Sequence, residues 1–431
     1  MNKNNSKTMK SVLQNAMQAK LSNENNKRIL WVSNAPWAGT GYGQQSAQML
    51  QRLKKEKYEL AAVANYGLEA ASTTWPTASG DVKIYPRGYE VWSNDIIPAH
   101  MYDWCSQDLT AQKLLITLFD VWVFKGPRWD EWPIASWVPI DHLPAPDEVI
   151  KWCKKPNVTP IAMSKFGKDM LNNVDVNCFY VPHAIEKVFK PTEKIVLENK
   201  DVLETRQFLG LPKDAFVVGM NAANKGTSPS RKAFAENFLA FSLFARKHPD
   251  AILYLHTDPT PAAGGLDLIS LLKAVGLKDT QYRFIDTYLY RTFINQETLA
   301  SIYTEMDVLL ATSFGEGFGV PTIEAQACGT PVIASNFMAS QELIGDGWAI
   351  DGQPYWDASQ KSWFNVPLVP NIVEALEAAY NRPRERSKKA IEFAAQYEAD
   401  LVFETMWKPT LKAIFEAQLA KPMSIHKKSK N

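Results

Sequence analysis

The sequence predicts an α/β protein made of two Rossmann-like, doubly wound domains that face a central cleft. Short apolar runs alternate with longer stretches of helical periodicity over most of the chain, a pattern typical of parallel sheets flanked by helices. The length of 431 residues is ample for two such domains. One polar stretch rich in Lys and Glu, from about residue 184 to residue 214, interrupts the alternation and marks the passage between them.

The first series begins with an apolar run from Arg28 to Ser33 that predicts a strand. A glycine turn, Gly39-Thr-Gly-Tyr-Gly43, leads into a predicted helix from Gln44 to Lys57 with one apolar face. The strand Tyr58 to Asn65 completes a β-α-β unit. Later apolar runs predict three further buried strands: Leu114 to Phe119, Ala135 to Ile140 and Pro160 to Met163.

The second series shows the same alternation. Its predicted strands are Phe216 to Gly219, Ala251 to His256, Arg283 to Ile285, Val308 to Ala311 and Pro331 to Ser335. Its predicted helices are Ser230 to His248, Leu266 to Val275, Gln296 to Tyr303 and a short one after Pro321. From Asn371 to Leu419 the chain is predicted to be mainly helical, with an interruption at Pro383.

These patterns divide the chain into five segments: a flexible tail (1–26), a first domain (27–190), a second domain (191–395), a C-terminal helix (396–420) and a basic tail (421–431). The first segment lacks the apolar core of a signal peptide or anchor. No run approaches the roughly 18 apolar residues of a transmembrane helix. Lysines in both tails leave a peripheral membrane contact open.

Composition excludes some classes of protein. Lys and Arg number 47 against 46 Asp and Glu, so the chain is not a globally basic nucleic-acid coat. Hydrophobic residues make up 46%, which excludes a largely disordered chain. The 4 cysteines form no CxxC pair, so we expect reduced thiols and a cytoplasmic protein.

Tryptophan is abundant and unevenly placed: ten of the 14 lie between Trp31 and Trp152. Some must be core residues, since an indole buries a large area and needs one hydrogen-bond partner. Others could stack on a sugar ring or a nucleobase. Trp129 and Trp132, which precede His142, are the members whose position decides between these interpretations.

The most informative segment follows the predicted strand that ends at Ala311. It contains three glycines in a loop, then Pro321 at a helix start and Gly329 at the helix end. Such a helix start binds phosphate through free backbone N–H groups. Glu316 in the loop and Glu324 in the helix could both accept hydrogen bonds from vicinal hydroxyls. Alternatively, Glu324 complements the helix dipole and Glu316 is solvated.

The segment reads Glu316-Gly-Phe-Gly-Val-Pro-Thr-Ile-Glu324-Ala-Gln-Ala-Cys-Gly-Thr-Pro-Val332. It resembles the signature E-G-F-G-x-P-x-x-E-A-x-A-x-G-x-P-V of retaining glycosyltransferases of the two-domain B-type (GT-B) fold, family 4, or glycosyl transferases group 1. The resemblance is specific over about 215–350 and looser over 28–191. It implies a nucleotide-sugar donor, most simply a UDP- or GDP-sugar, in the second domain and an acceptor in the first. It also implies that the late helix, Tyr397 to Leu411, returns to the first domain.

The resemblance assigns roles to individual residues. Glu316 would contact the donor sugar and Glu324 the ribose, while Arg231 and Lys232 would neutralise the diphosphate. The remaining donor contacts would come from backbone amides of Phe318, Gly319 and Val320. Arg231 and Lys232 are predicted to open a helix, whose positive N-terminus repels cations, so a basic pair there indicates an anionic ligand. The alternative is a solvated pair.

The end of the strand Ala135 to Ile140 carries Asp141 and His142, at the edge of the sheet where ligand-binding residues belong. In the resembled family a functional histidine near the reacting sugar occupies this strand end. The alternative is a buried structural histidine.

The glycine turn has the spacing GxGxG rather than GxGxxG, and its second strand ends at Asn65 without an acidic ribose ligand, so a dinucleotide fold is disfavoured. In the resembled family this turn lines the acceptor side, which would involve Gly39, Gly41, Tyr42 and Gly43 with Asp141 and His142. Gly41 would also approach the donor phosphate. A purely structural turn remains the alternative.

The sequence therefore predicts a retaining hexosyl- or pentosyltransferase without a bound cofactor. No two aspartates are separated by a single residue, so the DxD metal motif is absent and we expect a metal-independent reaction. The alternatives are a nucleotide-sugar epimerase or phosphorylase on the same fold, or a non-catalytic sugar- or nucleotide-binding module. The acceptor is open: a glycan, a lipid, a protein, a small metabolite or a modified nucleic-acid base.

Overall fold

The computed structural model describes residues 26–196, 202–292 and 294–420. The predictions for most of the N-terminal tail and for the basic tail lie outside the described residues. The chain forms two compact units that are interleaved in sequence. Among the described residues, the first comprises 26–138, 151–161 and 403–420, and the second comprises 139–150 and 162–402.

The first sheet has eight strands in the order β3-β4-β2-β1-β5-β6-β7-β8. The strands are β1 (Lys27–Ser33), β2 (Glu59–Ala64), β3 (Thr73–Trp75), β4 (Val82–Tyr85), β5 (Gln112–Leu118), β6 (Ile134–Val138), β7 (Val158–Ala162) and β8 (Phe179–Tyr180). The helices are α1 (Gly41–Lys55), α2 (Ile97–Ser106), α3 (Asp147–Cys153) and α4 (Lys165–Asn172). β1 runs parallel to both β2 and β5 and buries all but its first residue, as expected for a central strand.

The glycine turn is partly helical, because α1 begins at Gly41 and not after Gly43. Thr40 is the N-cap residue, and its Oγ1 accepts a hydrogen bond from the backbone N–H of Gly43 at 3.0 Å. Gly43 is required by close packing, since a Cβ there would lie 2.2 Å from the carbonyl oxygen of Ala38. Gly41, by contrast, has open space around it.

The second unit contains, after β8, a two-stranded ladder and a short helix: β9 (Lys194–Val196), β10 (Val202–Glu204) and α5 (Thr205–Phe208). Its main sheet has six parallel strands in the order β13-β12-β11-β14-β15-β16. These strands are β11 (Phe216–Asn221), β12 (Ala251–His256), β13 (Tyr282–Phe284), β14 (Val308–Ala311), β15 (Val332–Ser335) and β16 (Gly347–Ile350). The core against this sheet includes Phe216, Phe238 and Phe241, all fully buried.

The second unit also contains the helices around the six-stranded sheet, a hairpin and a helical C-terminal part. The helices are α6 (Phe234–Ala245), α7 (Leu268–Ala274), α8 (Thr287–Thr292), α9 (Gln296–Glu305), α10 (Val320–Ala327), α11 (Ala339–Glu342), α12 (Val369–Tyr380), α13 (Lys388–Ala394) and α14 (Ala399–Val402). The antiparallel hairpin consists of β17 (Gly352–Asp357) and β18 (Ser362–Pro367). The hairpin was not predicted, since β17 exposes most of its residues and offers no buried apolar run.

The helix predicted from Ser230 begins at Phe234 instead. Ala233 has a φ of 52°, in the left-handed region, so helical conformation starts only after it. Arg231 and Lys232 therefore lie in the loop between β11 and α6, and the prediction that they open the helix is wrong. The backbone N–H of Phe314 donates to the carbonyl of Arg231 at 2.8 Å, which ties this loop to the one after β14.

The C-terminal helix α15 (Lys408–Ala420) belongs to the first unit, as the resemblance implied. Trp407, in the π-helical turn before it, packs against Trp31 and Trp137 with ring centroids 6.5 and 4.9 Å apart. Lys408 also pairs with Glu56 at 3.1 Å. The predicted α/β fold with two doubly wound parallel sheets is confirmed. No helix among the described residues has both the length and the apolar character needed to cross a bilayer.

Candidate functional site

The loop after β14 lies against the segment that follows β6, and its glycines make the close approach possible. A Cβ at Gly315 would lie 2.5 Å from the carbonyl oxygen of Asp141, and one at Gly317 would lie 2.5 Å from Cβ of Pro139. Gly319 has a φ of 123°, which only glycine adopts readily, and α10 starts at the next residue. The predicted backbone donors Phe318, Gly319 and Val320 thus span the loop end and the first helical residue.

Glu316 is the centre of an ion-paired cluster. Its Oε2 accepts a hydrogen bond from Nη1 of Arg231 at 3.0 Å, and its Oε1 accepts one from Nζ of Lys232 at 2.5 Å. Arg231 also donates to the carbonyl of Gly315. Burial alone would raise the pKa of Glu316, but Lys232 and Arg231 outweigh it and lower that pKa to about 2. The carboxylate is therefore ionised throughout the neutral range.

Glu324 has different surroundings from Glu316. It is 3% exposed, and its Oε2 accepts a hydrogen bond from the hydroxyl of Tyr303 at 2.8 Å. Nδ2 of Asn221, the last residue of β11, donates to that same hydroxyl at 2.6 Å. Burial raises the pKa of Glu324 to about 7, and the hydrogen bond from Tyr303 only partly opposes this. A buried carboxyl group poised near neutrality is typical of a functional position.

His142 is 5% exposed and lies between two carboxylates. Its Nδ1 is 2.8 Å from Oδ1 of Asp141, and its Nε2 is 3.1 Å from Oδ2 of Asp357. Burial lowers the pKa of His142, but the hydrogen bonds and charges of the two aspartates outweigh it and raise the pKa above its ordinary value. The hydrogen bond from His142 and the charge of Arg231 likewise lower the pKa of Asp141 against its burial.

The second unit thus brings together most of the predicted site residues. One connected set is formed by Asp141, His142, Arg231, Lys232 and Glu316. Because Glu316 lies in the loop before α10, it joins that loop to the set. Gly39, Gly41, Tyr42 and Gly43 belong to the first unit, at the carboxyl end of β1. There Asn34 donates to the N-cap Thr40 at 2.9 Å, and the Tyr42 ring packs on Phe119 at 6.4 Å.

The tryptophans of the first unit divide between core and surface. Trp129 is 2% exposed, packs on Phe124 and Trp152 at 4.4 and 5.5 Å, and donates its Nε1–H to Asn94. Trp129 is therefore a core residue, and Trp132 is half-buried. The exposed early tryptophans are Trp37 and Trp122, at 40% and 37% exposure.

Sequence reasoning missed three residues of the site. Asn221 ends β11, two residues beyond the predicted strand Phe216 to Gly219, and its position at the carboxyl end of a strand could have identified it. Tyr303 lies on α9, 21 residues before its partner Glu324, with no motif to connect the two. Asp357 lies 215 residues after His142, in the hairpin that no sequence pattern indicated.

Within residues 26–196, 202–292 and 294–420, no three or more His, Cys, Asp and Glu side chains are grouped so that they could hold a metal ion. Metal independence itself stays a prediction.

Comparisons with known proteins show similarity to glycosyltransferases. The family described as glycosyl transferases group 1 matches residues 264–360, which include both glutamates. A D-inositol 3-phosphate glycosyltransferase from Paenarthrobacter aurescens (strain TC1) is 42% identical over 187 residues, covering 43% of this chain and 40% of the relative. The same-named protein from Arthrobacter sp. (strain FB24) is 30% identical over 151 residues, covering 34% and 31%. The chain thus matches less than half the length of these curated relatives.

The fold is shared more widely than the sequence. Sucrose-phosphate synthase from Thermosynechococcus elongatus superposes with a TM-score of 0.67 over 91% of this chain and 100% of that chain, at 16% identity. At this identity the likeness concerns the fold alone. The chain therefore has the two-domain GT-B fold, and its residues 264–360 match the family of glycosyl transferases group 1.

Proposed function

We propose that the protein is a glycosyltransferase that moves a sugar from a nucleotide-diphosphate donor to an acceptor. The observation that carries the proposal is the cluster in which Glu316 holds Arg231 and Lys232 beside the start of α10. Two cations and a helix N-terminus at one sheet edge suit a diphosphate. The group 1 match and the names of the relatives support glycosyl transfer rather than epimerisation.

The charges in the cluster fit the chemistry of a departing nucleotide. When the bond between sugar and phosphate breaks, the diphosphate gains negative charge, and fixed cations near it lower the barrier. Arg231 and Lys232 would supply that stabilisation in place of a metal ion. In this structure Glu316 accepts hydrogen bonds from both, so a bound diphosphate would compete with Glu316 for them and leave the glutamate to contact the sugar.

The finer assignments rest on the resemblance to family 4. They are retention of configuration, with front-face attack in which the departing phosphate oxygen takes the acceptor proton, and ribose recognition by Glu324. The raised pKa of Glu324 is compatible with that role, because ribose hydroxyls would supply the hydrogen bonds that the ionised carboxylate lacks when buried. The glycine turn at Gly39 to Gly43 would line the acceptor side, and the protein would act in the cytoplasm.

A donor-by-acceptor screen read by mass spectrometry tests the proposal. UDP- and GDP-sugars are offered with glycans, lipids, proteins, modified nucleosides and, prompted by the relatives' names, inositol 3-phosphate. We expect one donor class to yield a glycosylated product and free nucleotide. Conversion of the donor into a second nucleotide sugar without an acceptor would indicate an epimerase. A requirement for inorganic phosphate would indicate a phosphorylase, and binding without turnover a non-catalytic module.

A further inference from the structure

The hairpin β17–β18 pairs with neither large sheet but is bonded to the segment that carries His142. The backbone N–H of Leu143 donates to the carbonyl of Trp363 at 3.1 Å, and the N–H of Trp363 donates back to Leu143 at 2.9 Å. Ser362 Oγ donates to the carbonyl of Pro144. β18 is therefore the local partner of residues 143–144, immediately after His142.

The hairpin also fixes the ring of His142. Asp357 Oδ2 lies 3.1 Å from Nε2, and the Phe364 ring packs on the imidazole with centroids 3.9 Å apart. Asp357 is itself held, because its Oδ1 accepts hydrogen bonds from the backbone N–H and Oγ of Ser359 at 2.9 and 2.7 Å. The Asp357 side chain is 12% exposed, and its contact with Nε2 is short enough for its charge to act on the imidazole.

The charges around His142 define which form of the ring the site holds. Asp141 faces Nδ1 and Asp357 faces Nε2, while Arg231 and Glu316 act on Asp141 from the loops after β11 and β14. Ionised carboxylates only accept hydrogen bonds, so both contacts are satisfied only when both ring nitrogens carry a proton. In that form neither N–H is free, and the ring offers a fixed positive charge.

We propose that Asp357 is a positioning residue for the predicted catalytic His142, and that the β17–β18 hairpin holds the imidazolium in place beside Glu316, Arg231 and Lys232. The functional half of this inference rests on the proposed glycosyl transfer. The result is a row of alternating charges, Asp357–His142–Asp141–Arg231–Glu316–Lys232. Removal of the charge of Asp357 therefore changes the electrostatic environment of His142. No motif marks Asp357, since its role depends on a contact across the fold.

The direct test is an NMR titration of the His142 imidazole, assigned with a His142→Gln variant. Asp357→Asn removes the charge but keeps an oxygen that can accept from Nε2, so we expect a folded protein in which the pKa of His142 falls by about one unit or more. Glu385→Gln removes an exposed carboxylate as the matched control and should leave the titration unchanged. An unchanged His142 titration in Asp357→Asn would overturn the inference. This experiment needs no donor, so its outcome is independent of the proposed function.

The kinetic test addresses the functional half. With a donor found in the screen, the alkaline limb of the kcat–pH profile should move to lower pH by about one unit in Asp357→Asn, with little change in KM for the donor. Ser359→Ala keeps the charge but frees Asp357, and a smaller shift in the same direction is expected; it also replaces Asp357→Asn if that variant does not fold. A wild-type profile in both variants would overturn the positioning role, even where the NMR titration moves.

Discussion

Glu316 and Glu324 lie eight residues apart, and their surroundings move their pKa values in opposite directions. Lys232 and Arg231 overcome burial at Glu316 and hold its pKa near 2, whereas burial takes the pKa of Glu324 to about 7. Opposed shifts in neighbouring carboxyl groups are how one site assigns different tasks to the same chemical group. Glu316 is an anion that accepts hydrogen bonds from two cations, and Glu324 is a buried hydrogen-bond acceptor whose ionisation costs stability.

Glu324→Gln tests that cost. The folded-state pKa lies above the ordinary value of 4.5, so the native protein binds the proton more tightly than the unfolded chain. The free energy of unfolding of the wild type should therefore fall as pH rises from about 4.5 to 7. A glutamine at residue 324 does not ionise, so the variant does not lose stability in this way, and it can still accept the hydrogen bond from Tyr303. We expect urea melts to show the variant gaining roughly 1–3 kcal/mol relative to the wild type between pH 5 and pH 8.

The exposed Glu385→Gln variant serves as the control for removing a carboxylate, and its difference from the wild type should not depend on pH. The same Glu324→Gln protein should bind a nucleotide-sugar donor more weakly, measured by calorimetry. Parallel stability profiles for Glu324→Gln and the wild type from pH 5 to pH 8 would show that the pKa of Glu324 is not raised in the folded protein.

At the scale of elements, the first residues of helices determine where the predicted site residues lie. These helix starts are also the features that sequence patterns predicted least well. α1 begins two residues into the glycine turn because Thr40 caps it, and α6 begins at Phe234 because Ala233 is left-handed. Apolar periodicity identifies the buried body of a helix but not the backbone conformation at its end. Arg231 and Lys232 were consequently expected on a helix and lie in a loop, where they reach Glu316.

Gly43→Ala and Gly41→Ala form a matched pair in the first turn of α1. A methyl group at residue 43 would meet a backbone carbonyl at 2.2 Å, which cannot give way without moving the turn, whereas residue 41 has open space. We expect Gly43→Ala to lose about 1–3 kcal/mol of stability in urea melts and Gly41→Ala to lie within about 0.5 kcal/mol of the wild type. Equal effects would mean that the two glycines are not distinguished by packing.

At the scale of the whole molecule, the chain after residue 403 completes the first unit. Trp407 packs against Trp31 and Trp137, which are fully buried, and so joins the end of the sequence to the central strands. Part of the tryptophan excess therefore has a structural explanation. The interleaved units also explain why alternation of strands and helices could predict two doubly wound sheets without showing which distant segments pack together.

Trp407→Ala should therefore destabilise the first unit strongly. Truncation of a large buried aromatic side chain costs about 3–5 kcal/mol, from lost burial and the cavity that remains. Leu419→Ala, on α15, which begins immediately after Trp407, but 42% exposed in the wild type, is the control and should change stability by less than about 0.5 kcal/mol. Urea melts followed by tryptophan fluorescence measure both, and a small effect of Trp407→Ala would contradict a core role for the C-terminal segment.

Much of the site could be predicted because its residues follow strands along the chain. Glu316, Glu324, Arg231, Lys232 and His142 all come after predicted strands, where parallel sheets gather their ligands. Tyr303 and Asp357 could not be predicted in this way. Tyr303 projects from the last turn of α9 and Asp357 from an exposed hairpin, and both reach the site through contacts that only the folded chain defines.

The role proposed for Arg231, Lys232 and Glu316 is to act on the diphosphate and sugar of a donor. Nucleotide release from UDP-glucose and GDP-mannose without an acceptor, compared between the wild type, Lys232→Ala, Glu316→Ala and an exposed-lysine control, Lys213→Ala, tests it most directly. We expect release from one donor class by the wild type and the control, and a loss of about 10²–10³-fold in the two site variants. Wild-type release by either site variant would contradict the account.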